Sequence, residues 1–271
     1  MDIIHHIVFA GSDQITEVIN DLGIKYDGNP PSNIGVFDIA ESNSRWPEVS
    51  RLVVEKDLPD VCYTLFTKEE VLSAEWLRVN VTFEQGYPQP EASWDRVTLD
   101  QDSECSKCRL WAIQKSNFQI KKEPRLGRKD FMSLFWTAIV LASMPVFEAF
   151  ETAGVRGYEK WPILIRATQE SAKSVAQIRA VRQTKPGLLD MSGLRTEVCR
   201  QCGRVKFNRV MKGRIRYRRD AFPPDVDFVL SHEWFGSGGM AFQELFVSNR
   251  VARVVVDHGW KGLLLDPIEL L

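Results

Sequence analysis

Four of the chain's five cysteines fall in two CxxC pairs, Cys105 and Cys108 in "SECSKCRLW" and Cys199 and Cys202 in "EVCRQCGRV". Within such a turn two thiolates reach one ion while main-chain N–H groups point at the sulfurs. The spacing is compatible with three kinds of protein: one metal shared by both pairs, two redox dithiols, or a ribbon that presents basic strands to nucleic acid. A redox dithiol ordinarily opens a helix in a βαβ setting. Here "CRLWAIQ" and "CGRVKFNRV" alternate as strands do, which favours a single structural Zn2+ on Cys105, Cys108, Cys199 and Cys202. Four thiolates close the shell, so this metal would staple the chain and not catalyse. Cys62, alone in the alternating apolar segment "DVCYTLF", is expected to be a buried small hydrophobe.

The second pair leads into "CRQCGRVKFNRVMKGRIRYRRD", with nine Lys or Arg and no acid between Cys199 and Asp220. On a strand, Lys212, Arg214, Arg216 and Arg218 would share one face with Tyr217 opposite, and a basic face over 200–219 can grip phosphates. The competing expectation is that the run pairs with acids of the same chain. Further on, "LSHEWFGSGGMAFQELFVS" sets His232 and Glu233 beside Gly236, Ser237, Gly238 and Gly239. Position 236 is not the second histidine of a zinc-protease helix, and the glycine spacing fits neither a nucleophile elbow nor a phosphate loop. The functional reading is a partner-binding loop that presents Trp234 and Phe235, with Arg214 and Arg216 as further contact residues. The bland reading tucks both rings onto the core. His5 and His6 fall on opposite faces of the first strand, and His258 suits the end of a helix. With no catalytic constellation in view, a non-enzymatic protein is expected.

The elements that must position these residues begin with composition. With 44% hydrophobic and 26% charged side chains in 271 residues, the chain is globular in character. "MDIIHHIVFAGSD" lacks the basic start of a signal peptide and the length of a membrane span, so a cytoplasmic protein away from membranes is expected. In that compartment CxxC pairs favour metal or redox roles over disulfides. Residues 1–104 carry 20 acidic against 7 basic side chains, and 105–271 carry 16 against 28. Such a split can steer a partner or draw the two parts of one molecule together.

Local signals predict an α+β fold: an acidic α/β region over residues 1–90, then an α+β region over 91–271. The first contains a strand in "IIHHIVF", a helix capped by Ser12 or Asp13 and closed by Gly23, a helix with Pro47 in its first turn, and strands in "VCYTLF" and "WLRVNVTF". The second reads as duplicated, with units of about 100–165 and 195–271. Ser143 and Ser248, Gly154 and Gly259, Gly157 and Gly262, Pro162 and Pro267, and Ile163 and Ile268 fall at identical offsets. In both copies serine would cap a helix, the first glycine end it, the second permit a turn, and a short strand close at proline. Each copy follows one CxxC, so the half-sites of a Zn(Cys)4 centre would meet face to face and join the units.

At these residues, Cys105, Cys108, Cys199, Cys202 and Gly203, together with the closing "LFVSNRVARVVVDHGWKGLLLDPIEL", the sequence resembles bacterial double-CXXCG-motif proteins, some of which act as immunity proteins for secreted toxins. Arg109 stands where that pattern has its first glycine. The resemblance covers roughly the last 170 residues. It implies a non-enzymatic protein that binds zinc structurally and blocks a cognate toxin. A nucleic-acid or regulatory ribbon built on 200–219 is the alternative.

Overall fold

Alternation of apolar and polar residues makes "DIIHHIVFA" a strand, β1 (Asp2–Ala10), which buries Ile7 and Phe9. The structure is a computed structural model that describes residues 1–10, 13–28, 34–100, 105–108, 110, 112–236 and 241–271. After β1 come α1 (Asp13–Asp21), β2 (Ile34–Ala40), α2 (Trp46–Glu55) and β3 (Asp60–Leu65). Gly23 ends the first helix at φ 67°, whereas Ser12 lies outside the described residues. β1 runs antiparallel to both β2 and β3, and Ile19, Val49 and Leu52 of the helices pack on Ile7, Phe9, Phe37 and Ile39. As expected, the two histidines of β1 part company. His5 is buried between the carboxylates of Asp60 (2.8 Å) and Glu41 (3.1 Å), and His6 meets Asp38 at the surface.

Met1–Lys68 and Val210–Arg214 form one compact unit, and Glu69–Arg209 with Ile215–Leu271 the other. Loop composition puts a boundary near residue 90, but the chain divides after Lys68. The cause is β4 (Trp76–Val81), which is hydrogen-bonded on both sides within the larger unit.

That unit continues with a short hairpin, β5 (Leu99–Asp100) and β6 (Ile113–Gln114), then β7 (Phe131–Met132), β8 (Val140–Ser143), α3 (Met144–Thr152) and β9 (Tyr158–Ile165). Next come β10 (Ser171–Ala180), a second hairpin of β11 (Thr196–Val198) and β12 (Val205–Phe207), β13 (Phe228–Leu230), β14 (Leu245–Ser248), α4 (Asn249–Asp257) and β15 (Leu263–Pro267). Apart from short elements at 94–98, 119–120, 216–217 and 219–221, the order strand, hairpin, strand, strand, helix, strand therefore occurs twice.

The pairing registers of the two series coincide. In one sheet β10 lies between β9 and β8, with Ser143 opposite Val175, Tyr158 opposite Ala180 and Pro162 opposite Ala176. In the other, β4 lies between β15 and β14, with Ser248 opposite Trp76, Leu263 opposite Val81 and Pro267 opposite Leu77. Ala142 faces Phe131 as Val247 faces Phe228. The opening strand of each series thus completes the sheet of the other. Both helices bury their apolar faces in a shared core, where Phe147, Phe150, Val251 and Val255 meet Leu77, Phe131 and Phe228. Each such aromatic contributes roughly 2–3 kcal/mol of transfer free energy.

Reciprocal main-chain bonds hold the series together. Asp130 N–H donates to the Lys261 carbonyl (2.8 Å) as Asp227 N–H does to that of Arg156 (2.8 Å). The Asp130 carboxylate accepts Lys261 N–H (2.9 Å), and that of Asp227 accepts Arg156 N–H (2.9 Å). Gly157 (φ 91°) and Gly262 (φ 106°) follow these donors, and a Cβ on either would strike the opposite series, at Val226 and Phe228 or at Phe131. The glycines are thus required by close approach as well as by the turn. Gly154 and Gly259 end their helices at φ 66° and 64°. The serines differ from expectation. Ser143 and Ser248 hold the N-cap position in extended conformation, but neither hydroxyl caps its helix. Ser248 Oγ donates to Asp227 instead (2.6 Å), and Ser143 Oγ is buried with no partner among the described residues.

Candidate metal centre

The two hairpins bring the CxxC turns together. In the first, Leu99 pairs with Gln114 and Asp100 with Ile113, and in the second Glu197 pairs with Lys206 and Val198 with Val205. Each CxxC lies between the strands of its hairpin, because alternating strands on both sides leave the turn to adopt the tight main-chain path the motif needs. Gly203, immediately after the second pair, takes φ 71° and donates its N–H to the Cys199 carbonyl (2.8 Å). Its counterpart Arg109 lies outside the described residues.

All four Sγ atoms lie within 4.8 Å of one another, and no disulfide joins them. Equivalent cysteines face each other, Cys105 to Cys199 at 3.9 Å and Cys108 to Cys202 at 3.6 Å. The first two are buried and Cys202 is exposed. Two contacts tie hairpin to hairpin: Arg204 Nη1 donates to the Leu110 carbonyl (2.9 Å) and Gln201 Nε2 to Ser106 Oγ (3.5 Å).

The electrostatics favour thiolate on the buried pair. N–H groups of Cys202 and Gln201 hold the Cys199 thiol down at about 6. Those of Cys108 and Lys107 lower Cys105 in the same way. Burial instead pushes Cys108 up to about 12, so without a cation the cluster resists full ionisation. A divalent cation at its centre would remove that resistance by drawing off all four thiol protons. The residues present can hold one metal ion, with four soft donors and no free position. Cys62 stands apart in β3, half-buried rather than buried.

The two rings singled out in the sequence lie inside rather than at the surface. Trp234 is 9% exposed and Phe235 is fully buried, because Phe235 pairs with Phe242 and packs on Phe207. Arg214 lies over the Phe66 ring within the smaller unit, and Arg216 pairs with Asp190 in the larger. The Glu233 carboxylate accepts the buried Tyr217 hydroxyl (2.9 Å). Burial first, and then that carboxylate, raise the Tyr217 pKa. Gly236 is described, whereas 237–240, the rest of the glycine-rich turn, lie outside the described residues.

The basic run is not one strand either. It breaks into β12 and a two-residue strand at Arg216–Tyr217, so Lys212, Arg214, Arg216 and Arg218 do not lie along one strand. Most of its cations are used inside the chain, among them Lys206 with Glu197, Arg209 with Glu244, Lys212 with Glu41, Arg218 with Asp220 and Arg219 with Glu75. Helix capping by His258 is as expected, with the ring bonded to the Val254 carbonyl (2.9 Å) and stacked on Trp260.

Fold and site together define a mixed α/β protein with a four-cysteine cluster able to hold a metal ion. No family model matches the chain, and no curated protein matches it in sequence. No helix among the described residues is long and apolar enough to cross a membrane.

Proposed function

We propose that this chain is a non-enzymatic, cytoplasmic protein of immunity type, which binds and neutralises a cognate toxin and is held together by one structural Zn2+. The observation that carries this reading is the meeting of both CxxC hairpins at a single four-sulfur cluster, the feature on which the resemblance to double-CXXCG-motif proteins rests. Four Zn–S bonds of about 2.3 Å in a tetrahedron put neighbouring sulfurs about 3.8 Å apart. The Cys105–Cys199 and Cys108–Cys202 separations, 3.9 and 3.6 Å, fit that figure. A closed shell supports a staple rather than a catalyst.

The larger unit arose, on this reading, by duplication, with each copy lending its opening strand to the other. Coincident registers and reciprocal Asp130 and Asp227 bonds support that origin. The nucleic-acid alternative loses support from the internal ion pairing of 200–219. Co-expression with the product of the adjacent open reading frame tests the function: a stable complex and relief of toxicity are expected, and neither being seen would exclude neutralisation.

A further inference from the structure

The connection from β7 to β8 carries Trp136, a bulky residue at φ 66° and 51% exposed. A side chain in the left-handed region costs roughly 1–2 kcal/mol, which an exposed loop could relieve with Gly or Asn. The indole does not fold back into the core. It rests on Tyr87 (ring centroids 4.4 Å apart), itself 37% exposed and backed by Phe135 (5.0 Å). The segment carrying Tyr87 is fastened on both sides. Phe135 N–H donates to the Gly86 carbonyl (3.0 Å), and the Gln85 side chain clamps the main chain of Arg125, accepting its N–H at 2.7 Å.

Arg125 belongs to "IKKEPRLGRKD", a loop to which the sequence reading gave no role. Lys121, Lys122, Arg125 and Arg128 are all exposed there, and their side chains form no ion pair among the described residues. Glu123, the acid among them, is engaged by the N–H groups of Lys173 and Ser174. This is the reverse of the 200–219 run. An outward indole with Tyr and Arg beside it is the composition of interface anchors.

We propose that Trp136, Tyr87 and the cations of 121–128 form the docking surface for an acidic protein segment that receives the indole in an apolar recess. This rests on the reading of the chain as a partner-binding protein and names the surface and the partner's chemistry. Charge complementarity selects an acidic partner. Tyr87 meets Phe135 and Trp136 in tilted contacts (33° and 50°) and so offers no separate, parallel platforms of the kind that single-stranded nucleic acid uses along a groove, which selects protein.

The test uses the zinc-loaded full chain and three probes of about fifteen residues: a Glu-rich peptide interspersed with Leu and Phe, the same peptide with Gln for Glu, and oligo-dT. Selective binding of the Glu peptide is expected, weakened about tenfold by Trp136→Asn and as much by the combined Lys121→Glu, Lys122→Glu, Arg125→Glu and Arg128→Glu. Asn tolerates the left-handed conformation, so an unchanged thermal midpoint would separate lost binding from lost folding. Equal binding of the Gln peptide, preference for oligo-dT, or no binding would overturn the proposal. Selective Glu-peptide binding without a complex with the adjacent gene product would leave this surface standing and remove the neutralisation.

Discussion

The α3 and α4 series of the larger unit agree where they grip each other and differ where they face solvent. Registers, helix-ending glycines and the Asp130 and Asp227 anchors match residue for residue. The connection before the helix-bearing hairpin does not. Between β7 and β8 it is short and turns Trp136 outward, whereas between β13 and β14 it is longer and buries Trp234 and Phe235. Close approach tolerates no variation because each main chain fills space the other needs, while an exposed connection answers only to its own torsions and to whatever it binds.

Metal removal should break the comparison most severely, because an ion held by the four cysteines would belong equally to both series. Wild-type protein should carry one zinc per chain by elemental analysis, and Cys105→Ser or Cys199→Ser alone should lose it. Two zincs, or retention in either variant, would mean separate sites. The binding free energy of a structural zinc is folding free energy, so both variants and the chelated wild type should also unfold at markedly lower temperature.

The paired glycines sharpen the comparison next. Gly157→Ala and Gly262→Ala should each cost about 1–3 kcal/mol in denaturant unfolding, since both positions have φ beyond 90° and no room for a Cβ. Gly262 should be the worse of the two: its Cβ meets the main chain of Phe131, while at Gly157 the nearest atom belongs to the Val226 side chain. Gly154→Ala and Gly259→Ala, with open space around them, should cost about 1 kcal/mol each.

Those glycines show what a sequence can disclose. Punctuation by Gly, Pro and Ser marked the positions of α3, α4 and the strands after them, and Cys spacing marked the metal cluster, because both constraints are local. The pairing of β4 with β14 and β15, and of β10 with β8 and β9, was hidden. Whether "WLRVNV" pairs with its own series or the other is a long-range choice to which apolar alternation is indifferent. Burial of Phe235 and pairing of the 200–219 cations could stand in the sequence only as alternatives, since their partners Phe242, Glu197, Glu244 and Glu75 are fixed only by the fold. Trp136 carried no signal in its residue type; only its torsion sets it apart.

The anchoring acids should follow the glycines in size. Asp227→Ala should exceed Asp130→Ala within the range of about 1–3 kcal/mol for an orphaned donor, because Asp227 also accepts Ser248 Oγ and pairs with Arg250 (3.6 Å), while Asp130 holds Lys261 N–H. Equal losses would mean that the serine bond and the Arg250 pair add nothing.

The smallest effects distinguish the latches on β10 and β4. Ser174 at β10 donates its N–H (2.7 Å) and hydroxyl (2.5 Å) to Glu123, and the equivalent position before β4 is Glu75, which pairs with Arg219. Burial would raise the Glu123 pKa, but the hydrogen bonds from Ser174 and Lys173 outweigh it and leave the pKa lowered. A lowered folded-state pKa contributes stability that is present above the ordinary carboxylate range and disappears as pH falls through the lowered value. Glu123→Gln should therefore trail wild type by less than about 1 kcal/mol near neutrality and converge with it in acid, with little response to salt. Arg219→Met should behave oppositely, because both partners of that pair are exposed: its deficit of at most about 1 kcal/mol should shrink as salt screens the pair. If Glu123→Gln kept its deficit in acid that fully protonates the carboxylate, or Arg219→Met kept its own in molar salt, the latches would be acting through packing, and the chemical contrast between the two series would fail at this position.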